Sequence, residues 1–397
     1  MSSTPIRVLC CSSSLEGGGS ERQIATLVRH LDRSRFAPEL FLLRREGVHL
    51  DSIPGDVLIH CYQDACKPKL LNWPGREHSR QVRYLATILK SRDIHLLYDR
   101  TYHMTQITGP ATLKTGVPRI STVVSPPQSD FENCERRFRW LKRKLLSKAY
   151  RNADRVIAVS RGVAIEVQKY YHVPSDRVRV IYSPVDQDEI VNKANQSTDF
   201  AKPSDAKPSD NHPLRIACIG RLSQEKGHIY LLQAIRIVAK EYGEKVHLDI
   251  VGDGPLKAVL TEWCQEQQID SSVNWHGYLT NPYPLLKSAD LLCLPSLYEG
   301  LPNVVMEAML LKVPVLAADC PTGPRELLGE NLYGTLVAPA NPRQLADAIL
   351  DRTRNPQKWI AKTDSAQSII HQRHSMQAWI NTMQECFLEI AKSRKQR

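Results

Sequence analysis

Two glutamates flank the start of one predicted helix, in the segment LLCLPSLYEGLPNVVMEAMLLK at residues 291–312. An apolar run ends at Ser296, and Glu299 follows in a loop interrupted by Gly and Pro. The helix is predicted to begin near Asn303, with Glu307 one turn inside it. Backbone N–H groups at a helix start attract phosphate, and a nearby carboxylate can hold a pair of hydroxyls, as acidic residues hold ribose in dinucleotide folds. The segment therefore predicts an anion site beside a polyol site.

Two other interpretations of these glutamates stay open. Paired carboxylates also serve as acid and base in glycoside hydrolases, so a hydrolase must be considered. In a purely structural role, Glu299 would cap the helix and Glu307 would be exposed to solvent.

Two cations lie in a second loop, GRLSQEKGH at residues 220–228, between a predicted strand and a predicted helix. Gly220 and Gly227 permit a tight backbone there. Arg221 offers a planar fork for phosphate oxygens, and Lys226 offers a compact charge. Because open α/β sheets bind ligands at the carboxyl ends of their strands, the loop is predicted to bind an anion. The alternative is a solvated loop with ordinary surface charges.

Two glycine-containing turns could bring the backbone close to such an anion. In VGDGPL, residues 251–256, Gly254 allows close approach to a ligand or to the neighbouring loop, and the alternative is a plain strand-to-helix turn. In LEGGGSERQ, residues 15–23, Gly18 and Gly19 form a bare loop before a helix. This loop has neither GxGxxG nor a Walker lysine, so it does not predict a dinucleotide or P-loop site.

These loops need strands and helices to position them, and the sequence alternates between the two. Strands are predicted in the first half at 6–11, 36–43, 95–99, 119–124, 155–160 and 177–186, with helices at about 20–32 and 79–91. Strands are predicted in the second half at 214–220, 246–252, 273–277, 291–296, 313–319 and 334–339. This alternation predicts an α/β fold of two doubly wound, Rossmann-like domains that face each other across a cleft.

The chain of 397 residues is long enough for two or three domains. We predict an N-terminal domain at 1–186, a linker or insertion at 187–213 and a C-terminal domain at 214–372. A C-terminal helix at 373–397 is predicted to pack back on the N-terminal domain. The linker contains AKPSDAKPSD, a polar repeat that cannot bury a core.

The motifs GRLSQEKG, VGDGP, HGY and PSLYEGLPNVVMEAM, in this order and spacing, resemble those of glycosyltransferase family 4. The resemblance extends over essentially the whole chain, from GGGSER through ADRVIAVS and VIYSPVD to about residue 350. It implies the GT-B fold and a retaining glycosyltransferase of the hexosyltransferase class that uses a nucleotide-sugar donor. It also implies a role in making cell-envelope polysaccharide.

The resemblance implies three catalytic residues. Arg221 and Lys226 would hold the donor diphosphate and neutralise the charge that develops as it leaves, and Glu299 would contact the donor sugar. Further donor contacts are implied for Gly18, Gly19, Gly220, Gly254, Gly277, Tyr278, Gly300, Leu301, Asn303, Val304 and Glu307.

Most of these donor contacts have an implied partner. Glu307 would hold the ribose hydroxyls, Gly277 and Tyr278 would border the base, and Gly18 and Gly19 would close over the diphosphate from the other domain. Sugar hydroxyls and phosphate would accept hydrogen bonds from the N–H groups of Gly300, Leu301, Asn303 and Val304.

No cofactor and no metal site are expected, because cations and N–H donors supply the positive charge at the leaving oxygens. The DQD sequence at 186–188 matches the DxD metal motif of a different glycosyltransferase fold only superficially, and we interpret it as a solvated loop. Family members often carry a His or another polar side chain near residue 125, where this chain has SPPQ. His103 is a candidate replacement, with a surface or packed His as the alternative, so no catalytic residue of the first domain is assigned.

The positive charge of the chain lies in its first half. Residues 1–184 hold 30 Lys and Arg against 17 Asp and Glu, whereas residues 185–397 hold 23 against 25. A basic helix with interleaved Phe, Trp and Leu is predicted at 135–151, and such a helix can lie on an anionic membrane or pack its apolar face on its own domain. The first domain of the family binds the acceptor, here a glycan, a lipid-linked glycan or a small molecule. Nucleic acid is not an expected partner, because no nucleic-acid module accompanies the charge.

The predicted location is cytoplasmic, with peripheral attachment to the inner face of the membrane. No apolar run approaches the roughly 20 residues of a membrane span, and no signal peptide is expected. The ten cysteines are scattered without a CxxC pair and are expected to be reduced thiols. Besides the hydrolase, two alternatives stay open: a GT-B-like nucleotide-sugar epimerase and a catalytically inactive nucleotide-sugar-binding protein.

Overall fold

The computed structural model divides the chain into two compact units. One consists of Met1–Ser183 and Gln377–Arg397, and the other consists of Pro184–Met376. The structure describes residues 4–66, 75–134, 138–197 and 213–395.

The first unit is built on a seven-stranded parallel sheet. Its strands are β1 (Ile6–Ser12), β2 (Phe36–Leu42), β3 (Leu58–Cys61), β4 (Leu96–Arg100), β5 (Arg119–Val123), β6 (Arg155–Ala158) and β7 (Val178–Val180). They lie in the order β3-β2-β1-β4-β5-β6-β7, and every neighbouring pair is parallel. The carboxyl ends of all seven strands therefore lie along one edge of the sheet.

Helices connect these strands. They are α1 (Gly19–His30), α2 (Tyr62–Ala65), α3 (Arg76–Ser91), α4 (Tyr102–Thr115), α5 (Pro127–Cys134), α6 (Arg139–Arg151) and α7 (Arg161–Tyr171). The basic segment predicted as a helix over 135–151 is α6 from Arg139, and residues 135–137 lie outside the described residues. Apolar side chains of β1, β2 and β4 pack with α3 and α4 in one core, which includes Leu9, Phe41 and Leu85.

The second unit is built on a six-stranded parallel sheet. Its strands are β8 (Leu214–Ile219), β9 (Val246–Val251), β10 (Val273–Gly277), β11 (Leu291–Leu294), β12 (Val315–Ala318) and β13 (Thr335–Val337). Their order is β10-β9-β8-β11-β12-β13. The strand order therefore reverses between β8 and β11, the kind of position where open α/β sheets bind ligands.

The helices of the second unit lie before, between and after these strands. They are α8 (Gln187–Ala194), α9 (His228–Glu241), α10 (Lys257–Glu266), α11 (Tyr283–Ser288), α12 (Asn303–Leu310), α13 (Pro324–Leu327), α14 (Pro342–Arg354), α15 (Pro356–Ile360) and α16 (Thr363–Arg373). Among the described helices, none is long and apolar enough to cross a membrane.

The predicted linker at 187–213 begins as a helix. Asp186 caps α8 by accepting a hydrogen bond from the backbone N–H of Glu189 at 3.1 Å. Ile190 and Ala194, one turn apart, are buried, and α8 packs on α11. The DQD sequence is therefore a helix cap and not a solvated loop, because Asp is a favoured N-cap residue. Residues 198–212 of the predicted linker lie outside the described residues.

The last helix, α17 (Met376–Lys395), belongs to the first unit. Phe387 is fully buried, with its ring centroid 6.2 Å from that of Phe36 and 5.5 Å from that of Tyr98. The amide oxygen of Gln384 accepts a hydrogen bond from the backbone N–H of Asp32 at 2.9 Å. The chain thus crosses from the first unit to the second and returns.

Candidate functional site

Two loops of the second unit meet where the strand order reverses. One follows β8 and carries Lys226, and the other follows β11 and carries Glu299. Lys226 Nζ lies 2.7 Å from Glu299 Oε1. The prediction treated these residues as parts of separate motifs, and the structure brings their side chains into direct contact.

The carboxylate of Glu299 is held from several sides. Its side chain is largely buried, and Ser296 Oγ donates a hydrogen bond to Oε1 at 2.7 Å. The hydroxyl of Thr322, in the loop after β12, donates to the backbone carbonyl of Glu299. Burial disfavours the charge of Lys226, but the nearby carboxylate of Glu299 raises the pKa of the ammonium above its ordinary value. The ammonium of Lys226 therefore stays charged at neutral pH, paired with the carboxylate of Glu299.

Gly227 allows the two loops to approach each other. Its φ of +63° lies in the left-handed region, and a Cβ there would overlap the carbonyl oxygen of Pro295. The backbone N–H of Leu297 donates to the carbonyl of Glu225 at 2.7 Å, which joins the loops directly. A residue with a side chain at position 227 would push Lys226 away from Glu299.

Gly254 serves the contact between the loops after β8 and β9. A Cβ at Gly254 would overlap the carbonyl oxygen of Leu222, and Leu222 N donates to Asp253 O at 3.0 Å. Gly254 was predicted either to allow a close approach or to lie in a plain strand-to-helix turn, and the structure shows the close approach to the neighbouring loop. Gly220 lies on the other side of the same turn, where an added Cβ would be 3.8 Å from Lys226 Cδ.

The start of α12 presents unpaired backbone donors. Pro302, the residue before the helix, provides no side-chain cap. In the described part of the chain, nothing accepts a hydrogen bond from the backbone N–H groups of Gly300, Leu301, Asn303 and Val304. The Oδ1 atom of Asn303 is also buried without a hydrogen-bond partner. This helix start can therefore donate to phosphate or hydroxyl oxygens without losing existing bonds.

Glu307 lies one turn inside α12 and is buried. Its Oε1 atom is 3.4 Å from the hydroxyl of Tyr283, which donates to it. The alternative of a solvent-exposed Glu307 is therefore wrong. Tyr283, the first residue of α11, was missed because nothing in the local sequence marks it as a partner of Glu307.

The remaining residues of the second unit lie farther along the sheet edge. Gly277 ends β10, where its carbonyl accepts from Gly252 N at 2.7 Å, and Tyr278 is exposed. Arg221 is exposed, and no described residue pairs with its guanidinium. Gly277, Tyr278 and Arg221 lie along the same edge of the six-stranded sheet as Glu299, but the structure does not bring them into contact with it.

His228 is a further buried group that the sequence analysis missed. It is the first residue of α9, and neither ring nitrogen has a hydrogen-bond partner among the residues that the structure describes. Burial and the Lys226 ammonium lower the pKa of its imidazole to about 4. The sequence could have indicated His228 as a candidate site residue, because it lies two positions after Lys226.

Two predicted donor residues belong to the first unit. Gly18 is the extended residue before α1 and Gly19 is the first residue of the helix. The Glu21 carboxylate lies so close that a Cβ at Gly18 would overlap it. Elsewhere on this sheet edge, His103 is exposed near the start of α4, with its ring 3.9 Å from that of Tyr102. Its role stays a prediction.

No group of three His, Cys, Asp or Glu side chains within the described ranges is arranged to hold a metal ion. The nine described cysteines are free thiols, eight of them buried.

Comparisons with known proteins agree in both halves of the chain. Residues 17–189 match the family described as "Glycosyltransferase Family 4", and residues 213–355 match "Glycosyl transferases group 1". Over 327 residues the chain is 24% identical to the putative glycosyltransferase EpsF of Bacillus subtilis, covering 80% of each protein. Several other curated relatives are matched over only about half of their length.

One such relative is the N-acetylgalactosamine-N,N'-diacetylbacillosaminyl-diphospho-undecaprenol 4-alpha-N-acetylgalactosaminyltransferase of Campylobacter jejuni. It is 26% identical over 224 residues, 55% of this chain and 57% of the relative. Among solved structures, Anabaena Alr3699/HepE in complex with UDP-glucose superposes with a TM-score of 0.77 at 19% identity, covering 97% of this chain and all of that one.

The two parallel-sheet units have the GT-B fold, which the solved structures share. Both halves of the chain thus match glycosyltransferase family models, family 4 in the first half and group 1 in the second. The predicted fold class and enzyme class are confirmed.

Proposed function

We propose that this glycosyltransferase moves a sugar from a nucleotide-diphosphate donor to an acceptor with retention of anomeric configuration. The observation that carries the proposal is the Lys226–Glu299 ion pair at the strand reversal, together with the unpaired N–H groups at the start of α12. The Anabaena neighbour, solved with UDP and with UDP-glucose, supports a nucleotide-sugar donor.

Lys226 and Arg221 would bind the donor diphosphate. Cleavage of the bond between the sugar and the phosphate leaves additional negative charge on the phosphate oxygens. Positive groups that are already in place stabilise that charge without reorganisation. The raised pKa of Lys226 keeps its ammonium charged, so no metal ion is needed for this role.

Glu299 and the start of α12 would hold the donor sugar. When phosphate oxygens replace Glu299 as the partner of the Lys226 ammonium, the Glu299 carboxylate can accept hydrogen bonds from sugar hydroxyls. The N–H groups of Gly300 and Leu301 would donate to the sugar, and those of Asn303 and Val304 would donate to phosphate. The two carboxylates would therefore bind different parts of one donor.

The nucleoside would extend along the sheet edge. Glu307, buried next to the Tyr283 hydroxyl, would accept from the ribose hydroxyls, and Gly277 and Tyr278 would border the base. Gly220 and Gly254 shape the loops beneath the diphosphate. Gly18 and Gly19 of the first unit are proposed as further donor contacts.

The proposed chemical step is a substitution on one face of the sugar. The acceptor oxygen forms a bond to the anomeric carbon as the bond from that carbon to the phosphate oxygen breaks. The leaving phosphate oxygen takes the proton of the acceptor hydroxyl, so no separate base and no covalent enzyme intermediate are required. Because attack and departure occur on the same face, the configuration is retained.

A glycan or lipid-linked glycan of the cell envelope is the proposed acceptor. The Campylobacter relative is named for transfer to a diphospho-undecaprenol-linked sugar, and a Salmonella typhimurium relative is named a lipopolysaccharide 1,6-galactosyltransferase. We place the enzyme in the cytoplasm, in agreement with its free thiols, with peripheral membrane contact through residues 135–151.

The test is product analysis with the purified enzyme, UDP-sugar and GDP-sugar donors and extracted lipid-linked glycans. Proton NMR of the product should give the anomeric configuration of the donor, and nucleoside diphosphate release should depend on the acceptor. An inverted product would exclude the same-face step. An altered donor sugar without acceptor would indicate an epimerase, oligosaccharide cleavage without nucleotide would indicate a hydrolase, and donor binding without turnover would indicate an inactive protein.

A further inference from the structure

Helix α6 and Phe138, the residue before it, expose large apolar side chains that do not complete the core of the first unit. Phe138 and Trp140 are 70% and 74% exposed, and Leu141 and Leu145 are 46% and 52% exposed. Single exposed apolar residues are ordinary on soluble proteins. Four of them within eight consecutive residues form a patch, and patches of this kind mark interaction sites.

Helical spacing places most of the patch on one face. Trp140 precedes Lys144 and Lys148 at intervals of four residues, and Leu141 and Leu145 are also four apart, so these side chains share a side of the helix. The other side packs on the first unit through buried residues, namely Leu146, Ser147, Ala149 and Tyr150. The α6 surface is defined here as Phe138, Trp140, Leu141 and Leu145 together with the Lys and Arg residues of 139–151.

The charge of the α6 surface is entirely positive. Residues 138–151 contain six Lys and Arg and no Asp or Glu. The ammonium of Lys144 lies 5.3 Å from the centre of the Trp140 ring, so cation and indole occupy the same part of the surface. A two-fold contact with a second copy would bring these like charges together, whereas an anionic lipid surface offers both opposite charge and an apolar layer.

The helix that carries this surface is firmly held. The buried guanidinium of Arg119 donates to the carbonyl of Ala149, and Ser147 Oγ donates to the carbonyl of Tyr171 at 2.7 Å. The guanidinium of Arg143 lies 4.2 Å from the centre of the Tyr170 ring. The exposed side chains are therefore presented on a fixed helix and can bind without refolding.

We propose that the α6 surface docks the first unit on a membrane that contains anionic lipids. The indole of Trp140 and the leucines would enter the headgroup region, and the cations would contact lipid phosphates. The role of this surface, delivery of the enzyme to a lipid-linked acceptor, rests on the proposed function, whereas its attraction to anionic lipid does not.

The test is co-sedimentation of the full chain with vesicles of phosphatidylcholine alone or mixed with phosphatidylglycerol. The wild type should bind only the mixed vesicles, and less at high salt because the charges are screened. Lys144→Glu with Lys148→Glu should weaken binding about tenfold or more. Trp140→Ser with Leu141→Ser should weaken it as well.

Matched controls use exposed residues elsewhere. Lys245→Glu with Lys392→Glu makes the same change of net charge away from α6, and Leu332→Ser removes an apolar side chain that is 67% exposed. Both controls should bind vesicles as the wild type does. Circular dichroism melting curves should show that all variants remain folded.

Three results would overturn the proposal. In the first, the wild type stays in the supernatant with mixed vesicles. In the second, the α6 variants bind these vesicles as the wild type does. In the third, the wild type binds no vesicles but is a dimer in light scattering, and Trp140→Ser with Leu141→Ser dissociates that dimer. A thermal shift with nucleoside diphosphates on the same samples separates this surface from the enzyme function. Vesicle binding without a nucleotide response would count against the function and not against the surface.

Discussion

At the residue scale, the Lys226–Glu299 pair should decide the rate of transfer. Lys226→Ala removes the charge that stabilises the leaving diphosphate, and Glu299→Ala removes the proposed contact with the donor sugar. Each should lower kcat/KM by about a hundredfold or more. Because the side chains touch, the effects should not be additive in the double variant. The measurement is nucleoside diphosphate release, with exposed Lys245→Ala as the control.

The outcome of this cycle distinguishes a catalytic pair from a structural ion pair. If the pair only fastened two loops, either change would lower the unfolding temperature and leave transfer near the wild-type rate. Wild-type turnover in both single variants would remove Lys226 and Glu299 from the mechanism.

Gly227 should be required for the close approach of the two loops. Gly227→Ala meets the Pro295 carbonyl, whereas Gly243 has a similar φ of +66° with open space around it. Gly243→Ala should cost about 1 kcal/mol of unfolding free energy for the left-handed backbone alone. Gly227→Ala should cost about 2 kcal/mol more, measured by urea titration. Equal costs would mean that the contact with Pro295 does not constrain the loop.

The buried His228 should make the stability depend on pH. Burial, with a smaller effect of Lys226, lowers its pKa from 6.5 to about 4. Between these values the unfolded chain binds a proton that the native protein does not, so stability is lost as the pH falls from 6.5 towards 4. At pH 5 the loss due to this group is about 2 kcal/mol.

The side chain in His228→Gln cannot take up that proton. Between pH 7.5 and pH 5 the free energy of unfolding of this variant should therefore fall by about 2 kcal/mol less than that of the wild type. The measurement is urea unfolding at both pH values. The same loss in His228→Gln as in the wild type would contradict a neutral His228.

The positions of the site residues differ in how far the sequence predicts them. The loop position of Glu299 and the helix start at Asn303 follow from local signals, namely the end of an apolar run and a Gly-Pro interruption. The contact of Glu299 with Lys226 joins residues 73 positions apart. It depends on which strand lies beside β8, and local composition does not contain that information.

At the element scale, α17 should contribute to the stability of the first unit. Phe387 is fully buried between Phe36 and Tyr98. Phe387→Ala should cost about 3–5 kcal/mol, because a buried aromatic side chain leaves a cavity. Phe138→Ala, at a residue that is 70% exposed, should change the unfolding free energy by less than about 0.5 kcal/mol. Urea titration measures both, and equal small effects would contradict docking of α17 through Phe387.

Elements with a long apolar run were predicted, and those without one were missed. Strands such as β11 and β12 are continuous apolar segments, as expected for parallel strands buried on both faces. Strand β3 was missed because it is a four-residue edge strand whose Leu58 is 45% exposed. Helix α8 was assigned to the linker because only two of its eight residues are buried, which is too few for a clear periodic pattern.

At the scale of the whole molecule, alternating strands and helices were enough to predict two doubly wound units, and the parallel sheets confirm them. The charge is divided between the halves as well. The first carries the positive excess, whereas the second is close to neutral. An uncharged acceptor would not need the positive excess of the first half. We therefore expect that excess to serve a surface such as that of α6, where six Lys and Arg lie within residues 138–151.

The whole protein should respond to nucleoside diphosphates without a metal ion. A ligand that binds only the native state raises the apparent stability, by about 2.7 kcal/mol at a hundredfold excess over Kd. A thermal-shift series with UDP, GDP, ADP and dTDP should give a rise in Tm for the diphosphate that matches the donor. The rise should be the same with EDTA as with Mg²⁺, because Lys226 and the α12 N–H groups supply the positive charge. Lys226→Ala should reduce the rise and Lys245→Ala should not. A rise that requires Mg²⁺ would contradict metal-independent binding, and no rise with any diphosphate would contradict the proposed donor site.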